Sequence, residues 1–343
     1  RRPRRRVATG LVGPAGADPD ATAHADPGSD RDATRHAGDV PGPVTRRPYL
    51  ERLGARTAEA GTVLCLGIDP DPAALPAGFT PDVAGVEGFA RLLVEAAAPY
   101  AAAVKPNLAF FEAFGSAGLA ALERIRASIP AGIPVVADAK RGDIGSTAAR
   151  QAAALFDVLG ADAVTVNPYL GSEAILPLLE RPDRYAYVLC RTSNPGAAEL
   201  QGLEVVAGTG AAAGGGGAAA GTEPLWARVA RLAATWGPGG TVGLVVGATA
   251  PRELAAIRAI APGLGFLVPG VGAQGGDVEP VLRDGPATAP PAAANPGGGL
   301  LVNVSRGIAG AALGPAREGG PADLGERLAE AAAGWARRLP VLP

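Results

Sequence analysis

The residues best suited to chemistry lie in VVADAKRGDIGSTA, residues 135–148, where an apolar run ends in Asp138, Lys140 and Asp143. Because strand side chains alternate between two faces, Asp138 and Lys140 are expected on one face, about 6 to 7 Å apart along the backbone. Opposite charges at that range keep the lysine in its ammonium form. The spacing predicts a proton donor, Lys140, beside a carboxylate, and Asp143 in the following turn can supply a second one.

Lysine is rare in this chain, which makes each lysine informative. Only Lys105 and Lys140 are lysines among the 31 basic residues, and the rest are arginines. An arginine keeps its proton in a protein, whereas a lysine can be tuned until its ammonium hands a proton over. Both lysines are therefore candidates for a functional site.

Histidine and cysteine offer little alternative chemistry. His24 and His36 lie in the first 40 residues, so the predicted folded part holds no imidazole for acid-base catalysis or metal binding. Cys65 and Cys190 are far apart, sit in apolar runs and form no CxxC pair. They are expected to be reduced core residues of a cytoplasmic protein.

Composition excludes several classes of protein. The chain has 343 residues, of which 48% are hydrophobic, enough for a large core. The formal net charge of −2 gives no electrostatic reason to expect nucleic acid as a partner. No apolar run reaches 18 residues, and the basic start is followed by no apolar signal segment, so neither a membrane span nor secretion is expected.

The chain divides by composition into a leader and one folded domain. Residues 1–47 lack hydrophobic periodicity and are interpreted as a disordered leader. Residues 48–343 are assigned to the domain. Two low-complexity stretches within it, 207–224 and 284–299, are interpreted as flexible loop insertions, the first on the active-site side and the second on the opposite side of the fold.

From residue 48 onward, short apolar runs alternate with helical patterns. The strand candidates are 63–69, 101–106, 133–140, 163–168, 186–192, 242–248, 265–270 and 300–305. The helix candidates are 86–100, 119–129, 147–160, 223–236, 251–260 and 324–339. Eight buried strands separated by helices predict a closed (β/α)8 TIM barrel of parallel strands. An open doubly wound sheet is the alternative, but no GxGxxG follows its first strand.

Active sites of such barrels lie at the carboxyl ends of the strands, and the polar residues of this chain cluster there. The strand ends carry Asp69, Lys105, Asp138 with Lys140, RTSNPG (191–196), PGVGAQGGD (269–277) and NVSRG (303–307). Gln274 among glycines and Arg306 at a helix start have the composition of a phosphate site, which such barrels often place after strands seven and eight. One charged mouth with an anion site is therefore expected.

The segment DAKRGDIGSTA (138–148) resembles the DxKxxDI signature of the orotidine 5′-phosphate decarboxylase family. GIDPDP (67–72), VKPNLAFFE (104–112), TSNPG (192–196), VVGAT (245–249), VPGVGAQGGD (268–277) and NVSRGI (303–308) are similar to the mycobacterial branch of that family. The resemblance runs from about residue 50 to residue 340. DxKxxD alone also occurs in sugar-phosphate decarboxylases and aldolases of the same superfamily, whereas the ordered set is far more specific.

The resemblance implies decarboxylation of orotidine 5′-monophosphate (OMP) to uridine 5′-monophosphate (UMP), the last step of de novo pyrimidine synthesis, without a metal or organic cofactor. Lys140 would protonate C6 of the pyrimidine, and Asp138 would lie near the substrate carboxylate. Lys105 would complete the charged array and touch the ribose, and Asp69 would bind a ribose hydroxyl.

The resemblance also implies the remaining ligands and a partner. Ser193 would bind the pyrimidine ring, and Gln274 and Arg306 would bind the phosphate. Asp143, with Ile144 and Thr147, would reach into the site of a second subunit, so a homodimer is expected.

Two alternatives stay open at this point. A magnesium-dependent sugar-phosphate decarboxylase or aldolase of the same superfamily would use the DxKxxD segment to hold the metal, and EDTA would abolish its activity. A non-catalytic barrel that binds a phosphorylated ligand would tolerate loss of Lys140. Asn167 and Arg191, two further polar residues at strand ends, receive no role from the sequence.

Overall fold

The computed structural model describes residues 46–207, 221–272, 274–314 and 323–342. The leader predicted for 1–47 therefore lies outside the described residues except for Arg46 and Arg47, and so does most of the 207–224 stretch. Arg46 already belongs to the fold, because its guanidinium pairs with Asp162 at 2.7 Å. In the described part of the chain, no helix combines the length and apolar character needed to cross a membrane.

The centre of the fold is an eight-stranded parallel sheet. Its strands are β1 (Leu64–Ile68), β2 (Ala103–Pro106), β3 (Val136–Arg141), β4 (Ala163–Val166), β5 (Tyr185–Arg191), β8 (Val242–Val246), β9 (Gly265–Val268) and β10 (Leu301–Val304). They pair in the order β2-β1-β10-β9-β8-β5-β4-β3. A separate antiparallel hairpin consists of β6 (Glu204–Val206) and β7 (Thr222–Pro224).

Strands β2 and β3, at the two ends of this order, also contact each other. The backbone N–H of Val104 donates to Pro134 at 3.0 Å, and that of Leu108 donates to Asp138 at 3.3 Å. Isolated parallel bridges join Val104 to Val135 and Asn107 to Asp138. The sheet is thus closed into a barrel, which confirms the predicted (β/α)8 class, and each of the eight predicted strands overlaps an observed one.

Helices surround the barrel. They are α1 (Tyr49–Ala60), α2 (Val83–Ala97), α3 (Ala109–Glu112), α4 (Gly115–Ser128), α5 (Gly145–Ala152), α6 (Leu176–Leu179), α7 (Ala197–Leu200), α8 (Leu225–Ala233), α9 (Pro251–Ile260), α10 (Val278–Asp284), α11 (Arg306–Ala309) and α12 (Leu324–Arg338). Local chemistry sets several ends: Asp82 and Asp323 cap α2 and α12 through their carboxylates, and α9 begins with a proline.

Helix α1 closes the amino-terminal end of the barrel. Tyr49 is fully buried and stacks on Tyr185 with ring centroids 4.8 Å apart, and its hydroxyl lies 3.2 Å from that of Tyr187. Arg52 donates to the buried Asp162 at 2.8 Å and so fixes the helix to the start of β4. The barrel interior below the site is therefore filled by apolar and aromatic side chains and excludes water from beneath it.

The described residues of the two low-complexity stretches include secondary structure that the sequence did not suggest. Residues 222–224, expected as loop and helix start, form β7 and pair with β6. In 284–299, Ala292 is completely buried, and short 3-10 helices span Ala292–Ala294 and Pro296–Gly299. Small residues allow this packing, since a Cβ on Gly299 would lie 3.0 Å from the Cβ of Ala292.

Candidate active site

Three charged side chains meet at the carboxyl ends of β2 and β3. The ammonium of Lys105 donates to Oδ2 of Asp138, and that of Lys140 donates to Oδ1, both at 2.6 Å. Lys105 is 4% exposed, whereas the side chain of Lys140 is 51% exposed. One lysine is therefore buried beneath the carboxylate, and the other faces the open mouth of the barrel.

A local irregularity of β3 aims Lys140 at this carboxylate. The pairing of β3 with β4 shifts register between Ala137 and Arg141, and Lys140 has a φ of +47°. A non-glycine residue in the left-handed region costs roughly 1 to 3 kcal/mol, so the surrounding structure must hold it there. The same-face expectation for Asp138 and Lys140 is met, but through a bulged strand and not by regular alternation.

Thr165 of β4 holds both members of the Asp138–Lys140 pair. Its hydroxyl accepts the backbone N–H of Lys140 at 3.0 Å and donates to Oδ1 of Asp138 at 2.9 Å. Thr165 is 2% exposed, so solvent cannot easily replace these hydrogen bonds. This residue was missed from the sequence, since a threonine inside an apolar strand is usually only a good strand former.

The lysines decide the charge state of the array. Burial alone would raise the pKa of Asp138, but Lys105 and Lys140 outweigh burial and hold that pKa well below its usual range. For Lys105 the effects are reversed in sign. Burial lowers the pKa of its ammonium, but the nearby carboxylates of Asp138 and Asp69 outweigh burial, so this pKa lies above its usual range. The lysine and aspartate are both charged near neutral pH.

A cavity of about 440 Å³ opens beside this array. Asp69, Asn107, Gln274 and Arg306 are among its lining residues. Asp69 also has a buried carboxylate oxygen, Oδ1, with no hydrogen-bond partner in the described part of the chain. Buried polar atoms are almost always paired, so this oxygen indicates a ligand with a hydrogen-bond donor. Asn107 was not singled out from the sequence, although it follows Lys105 by two positions and so shares its face.

Ser193 and Gln274 link the loops after β5 and β9. The serine hydroxyl donates to Oε1 of Gln274 at 2.7 Å. The loops approach closely at Gly270, whose φ is +98° and whose added Cβ would lie 2.9 Å from the Cβ of Ser193. The predicted pyrimidine and phosphate ligands therefore lie at one side of the mouth, next to Arg306 at the first position of α11.

Asp143, Ile144 and Thr147 are not part of this cluster within the subunit. Asp143 accepts the backbone N–H of Ile144 at 2.8 Å in the turn after β3. Ile144 is 50% exposed, and Thr147 is exposed on the first turn of α5. The exposed side chain of Ile144 therefore offers an apolar contact, next to the charged array, for another molecule.

Asn167 and Arg191 have structural contacts. The Asn167 side chain accepts the backbone N–H of Tyr169 at 3.0 Å and caps a short 3-10 helix. The Arg191 guanidinium donates to the backbone oxygen of Thr192 at 2.7 Å and lies 3.7 Å from a carboxylate oxygen of Glu253. Both contacts order loops at the rim.

The fold and site together define a TIM-barrel enzyme in which a buried carboxylate lies between two ammonium groups at the carboxyl ends of the strands. The comparisons with known proteins narrow this class. The model of the family described as "Orotidine 5'-phosphate decarboxylase / HUMPS family" matches residues 62–319. The chain belongs to this family.

Relatives and solved structures agree with the assignment. The chain is 45% identical over 261 residues to an orotidine 5′-phosphate decarboxylase of Herpetosiphon aurantiacus, covering 76% of this chain and 88% of that protein. It is 46% identical over 294 residues to that of Thermomicrobium roseum, covering 85% and 93%. The structure of Leishmania donovani OMP decarboxylase is similar with a TM-score of 0.67 and 38% identity, covering 85% and 96%.

Proposed function

We propose that this chain converts orotidine 5′-monophosphate to uridine 5′-monophosphate and carbon dioxide, as its curated relatives are named for doing. The observation that carries the proposal is the placement of Asp138 between Lys105 and Lys140, with both oxygens occupied by ammonium groups at 2.6 Å. This reaction belongs to pyrimidine synthesis. Both cysteines are free and buried, in keeping with a cytoplasmic enzyme.

The cavity supports one orientation of the substrate. The phosphate lies against Arg306 and the amide of Gln274, where a guanidinium and neutral donors can bind it. A ribose hydroxyl donates to the carboxylate of Asp69, which lines the cavity. The pyrimidine ring reaches Ser193, whose hydroxyl lies 2.7 Å from Oε1 of Gln274 on the same side of the mouth. This orientation brings the carboxylate at C6 to the array.

The chemistry then follows from charge. The bond between C6 and the carboxylate breaks, its electron pair stays on C6, and an N–H of Lys140 donates a proton to that carbon. Lys140 is left as a neutral amine and regains its proton from solvent, which its exposed side chain allows. Asp138 holds the ammonium in place before the carbanion forms, so the stabilising charge needs little reorganisation.

Two subunits are needed to complete the site in this proposal. Asp143 and Thr147 follow the array directly, and Ile144 is half exposed beside them. In a homodimer these residues contribute to the partner's site, with Asp143 adding a carboxylate near its Lys140. An isologous interface does this twice by symmetry.

The magnesium-dependent alternative is less compatible with the donor set. A magnesium ion prefers carboxylate oxygens and keeps several waters. Both oxygens of Asp138 accept hydrogen bonds from ammonium groups, and Oδ1 also accepts one from Thr165. A metal ion there would have to displace at least one lysine, whose charge it would also repel.

The decisive experiment follows OMP by absorbance with the purified protein, with and without EDTA. We expect conversion to UMP that EDTA leaves unchanged, loss of turnover in Lys140→Ala, and retained UMP binding in that variant. Lys140→Arg is also expected to fail, because a guanidinium does not release its proton readily. Arg91→Ala, which removes an exposed cation from α2, is the matched control and keeps activity.

Each of the other outcomes favours a different function for the protein. Turnover lost with EDTA supports the magnesium enzyme. Turnover kept in Lys140→Ala removes the lysine from the mechanism. UMP binding without turnover by the intact chain supports a non-catalytic barrel.

A further inference from the structure

The C-terminal helix α12 lies beyond the family match, which ends at residue 319. It nevertheless reaches the phosphate side of the mouth. Trp335, near its end, packs partly buried against the main core and points its indole at the loops after β9 and β10. No role of this residue follows from the mechanism above.

Trp335 contacts both loops at glycines. An added Cβ on Gly272 would lie 2.9 Å from Cη2 of the indole, and one on Gly307 would lie 2.8 Å from Nε1. The indole N–H donates to the backbone oxygen of Gly307 at 3.1 Å. The Arg338 guanidinium carbon lies 4.0 Å from the ring centroid, so the indole is packed on a third side. Both glycines are required because the ring occupies the space of their side chains.

Each contacted glycine lies within two residues of a proposed phosphate ligand. Gly307 directly follows Arg306 on α11. Gly272 accepts the backbone N–H of Gly275 at 2.8 Å, and this closes the turn that carries Gln274. The two ligands come from separate loops, and the indole is packed against both loops at once.

We propose that Trp335 is a positioning residue for phosphate recognition, which holds the Gln274 turn and the start of α11 at a fixed separation. The proposal rests on the proposed function for the identity of the substrate. Its physical basis is that the binding energy of a remote phosphate is realised only when its ligands are ordered before the substrate arrives. Without the indole, the ligands must be ordered at the moment of binding.

The test compares Trp335→Ala and Trp335→Phe with the wild-type enzyme. Trp335→Ala is expected to raise KM for OMP and the inhibition constant of inorganic phosphate together, each about five- to tenfold, with kcat within about twofold. Trp335→Phe keeps an aromatic ring but loses the indole N–H, so its two constants are expected to lie between those of the wild type and those of Trp335→Ala. Trp236→Phe, a matched change in the core after α8, leaves both constants unchanged.

The proposal is overturned if folded Trp335→Ala keeps both constants within twofold of wild type, or if kcat falls as much as KM rises. If this variant melts before assay, Trp335→Phe decides by the same two constants. Should the wild-type chain not convert OMP, the proposed function fails separately. Calorimetric titration of wild type and Trp335→Ala with inorganic phosphate then decides: the inference holds if the variant binds phosphate about five- to tenfold more weakly, and it fails if the two dissociation constants agree within about twofold.

Discussion

The contact of Thr165 with Lys140 and Asp138 gives the sharpest prediction for catalysis. Thr165→Val keeps the shape of the side chain and replaces the hydroxyl by a methyl group. It removes the acceptor of the Lys140 backbone N–H at 3.0 Å and the donor to Asp138 at 2.9 Å. Thr165→Ser keeps the hydroxyl and is the matched control.

The magnitude follows from these two hydrogen bonds. The bond to the charged carboxylate is worth about 1.5 to 3 kcal/mol and the neutral bond about 1 kcal/mol, so Thr165→Val should lose about 2.5 to 4 kcal/mol of stability. Lys140 has a φ of +47° and depends on this support. We expect kcat to fall about 10- to 100-fold, which corresponds to about 1.4 to 2.8 kcal/mol of transition-state stabilisation.

The assay pairs urea unfolding with steady-state turnover of OMP at saturating substrate. Thr165→Ser should keep kcat within about threefold and lose roughly 1 kcal/mol of stability for its missing methyl group. If Thr165→Val lowers stability but leaves kcat within twofold of wild type, the threonine supports only the fold, and our account of how Lys140 is aimed is wrong.

Two further predictions concern the pH range of the array and the subunit interface. Because the pKa of Asp138 is lowered in the folded state, its carboxylate stabilises the fold above the unfolded-state pKa of about 4, and this stabilisation is lost as pH falls. Because the pKa of Lys105 is raised in the folded state, its ammonium stabilises the fold below about pH 10.4, and this stabilisation is lost as pH rises. The contribution of Asp138 to the free energy of unfolding should therefore be lost only in acid. In urea titrations from pH 3 to 7, Asp138→Asn should make the free energy of unfolding less dependent on pH at the acid end. For the interface, mixing inactive Lys140→Ala and Asp143→Ala chains should restore about a quarter of wild-type activity, because each mixed dimer rebuilds one intact site; mixtures without activity would place Asp143 in its own subunit's site.

Hydrophobic periodicity in the sequence was sufficient to predict the barrel strands but not the hairpin β6–β7 or helix α1. The apolar runs overlap all eight barrel strands because a parallel strand buried on both faces needs a continuous apolar run. The hairpin β6–β7 was missed, since its strands of three residues are too short to show a pattern. Helix α1 was not among the predicted helices, although its Tyr49 fills the lower barrel.

Within the site, charged residues could be predicted and their supports could not. Lys105, Asp138 and Lys140 stand out as charges at the ends of apolar strands, and the structure brings them together. Thr165 and Trp335 have ordinary residue types for a strand and an amphipathic helix. Their importance lies in contacts that are distant in the sequence. Thr165 contacts Lys140, 25 positions away, and Trp335 contacts Gly307, 28 positions away, and no local sequence pattern encodes such contacts.

The geometry also explains why two lysines survive in a chain that otherwise uses arginine. Lys105 is 4% exposed and places one compact ammonium under Asp138, close enough to Asp69 that both carboxylates raise its pKa. A guanidinium there would carry five donors into a pocket that offers few acceptors, and unsatisfied buried donors are costly. At position 140 the requirement is different, because in the proposed mechanism the side chain releases a proton. The proposal thus accounts for one lysine by its size and for the other by its ability to give up a proton, and both ammonium groups meet at a single carboxylate, Asp138.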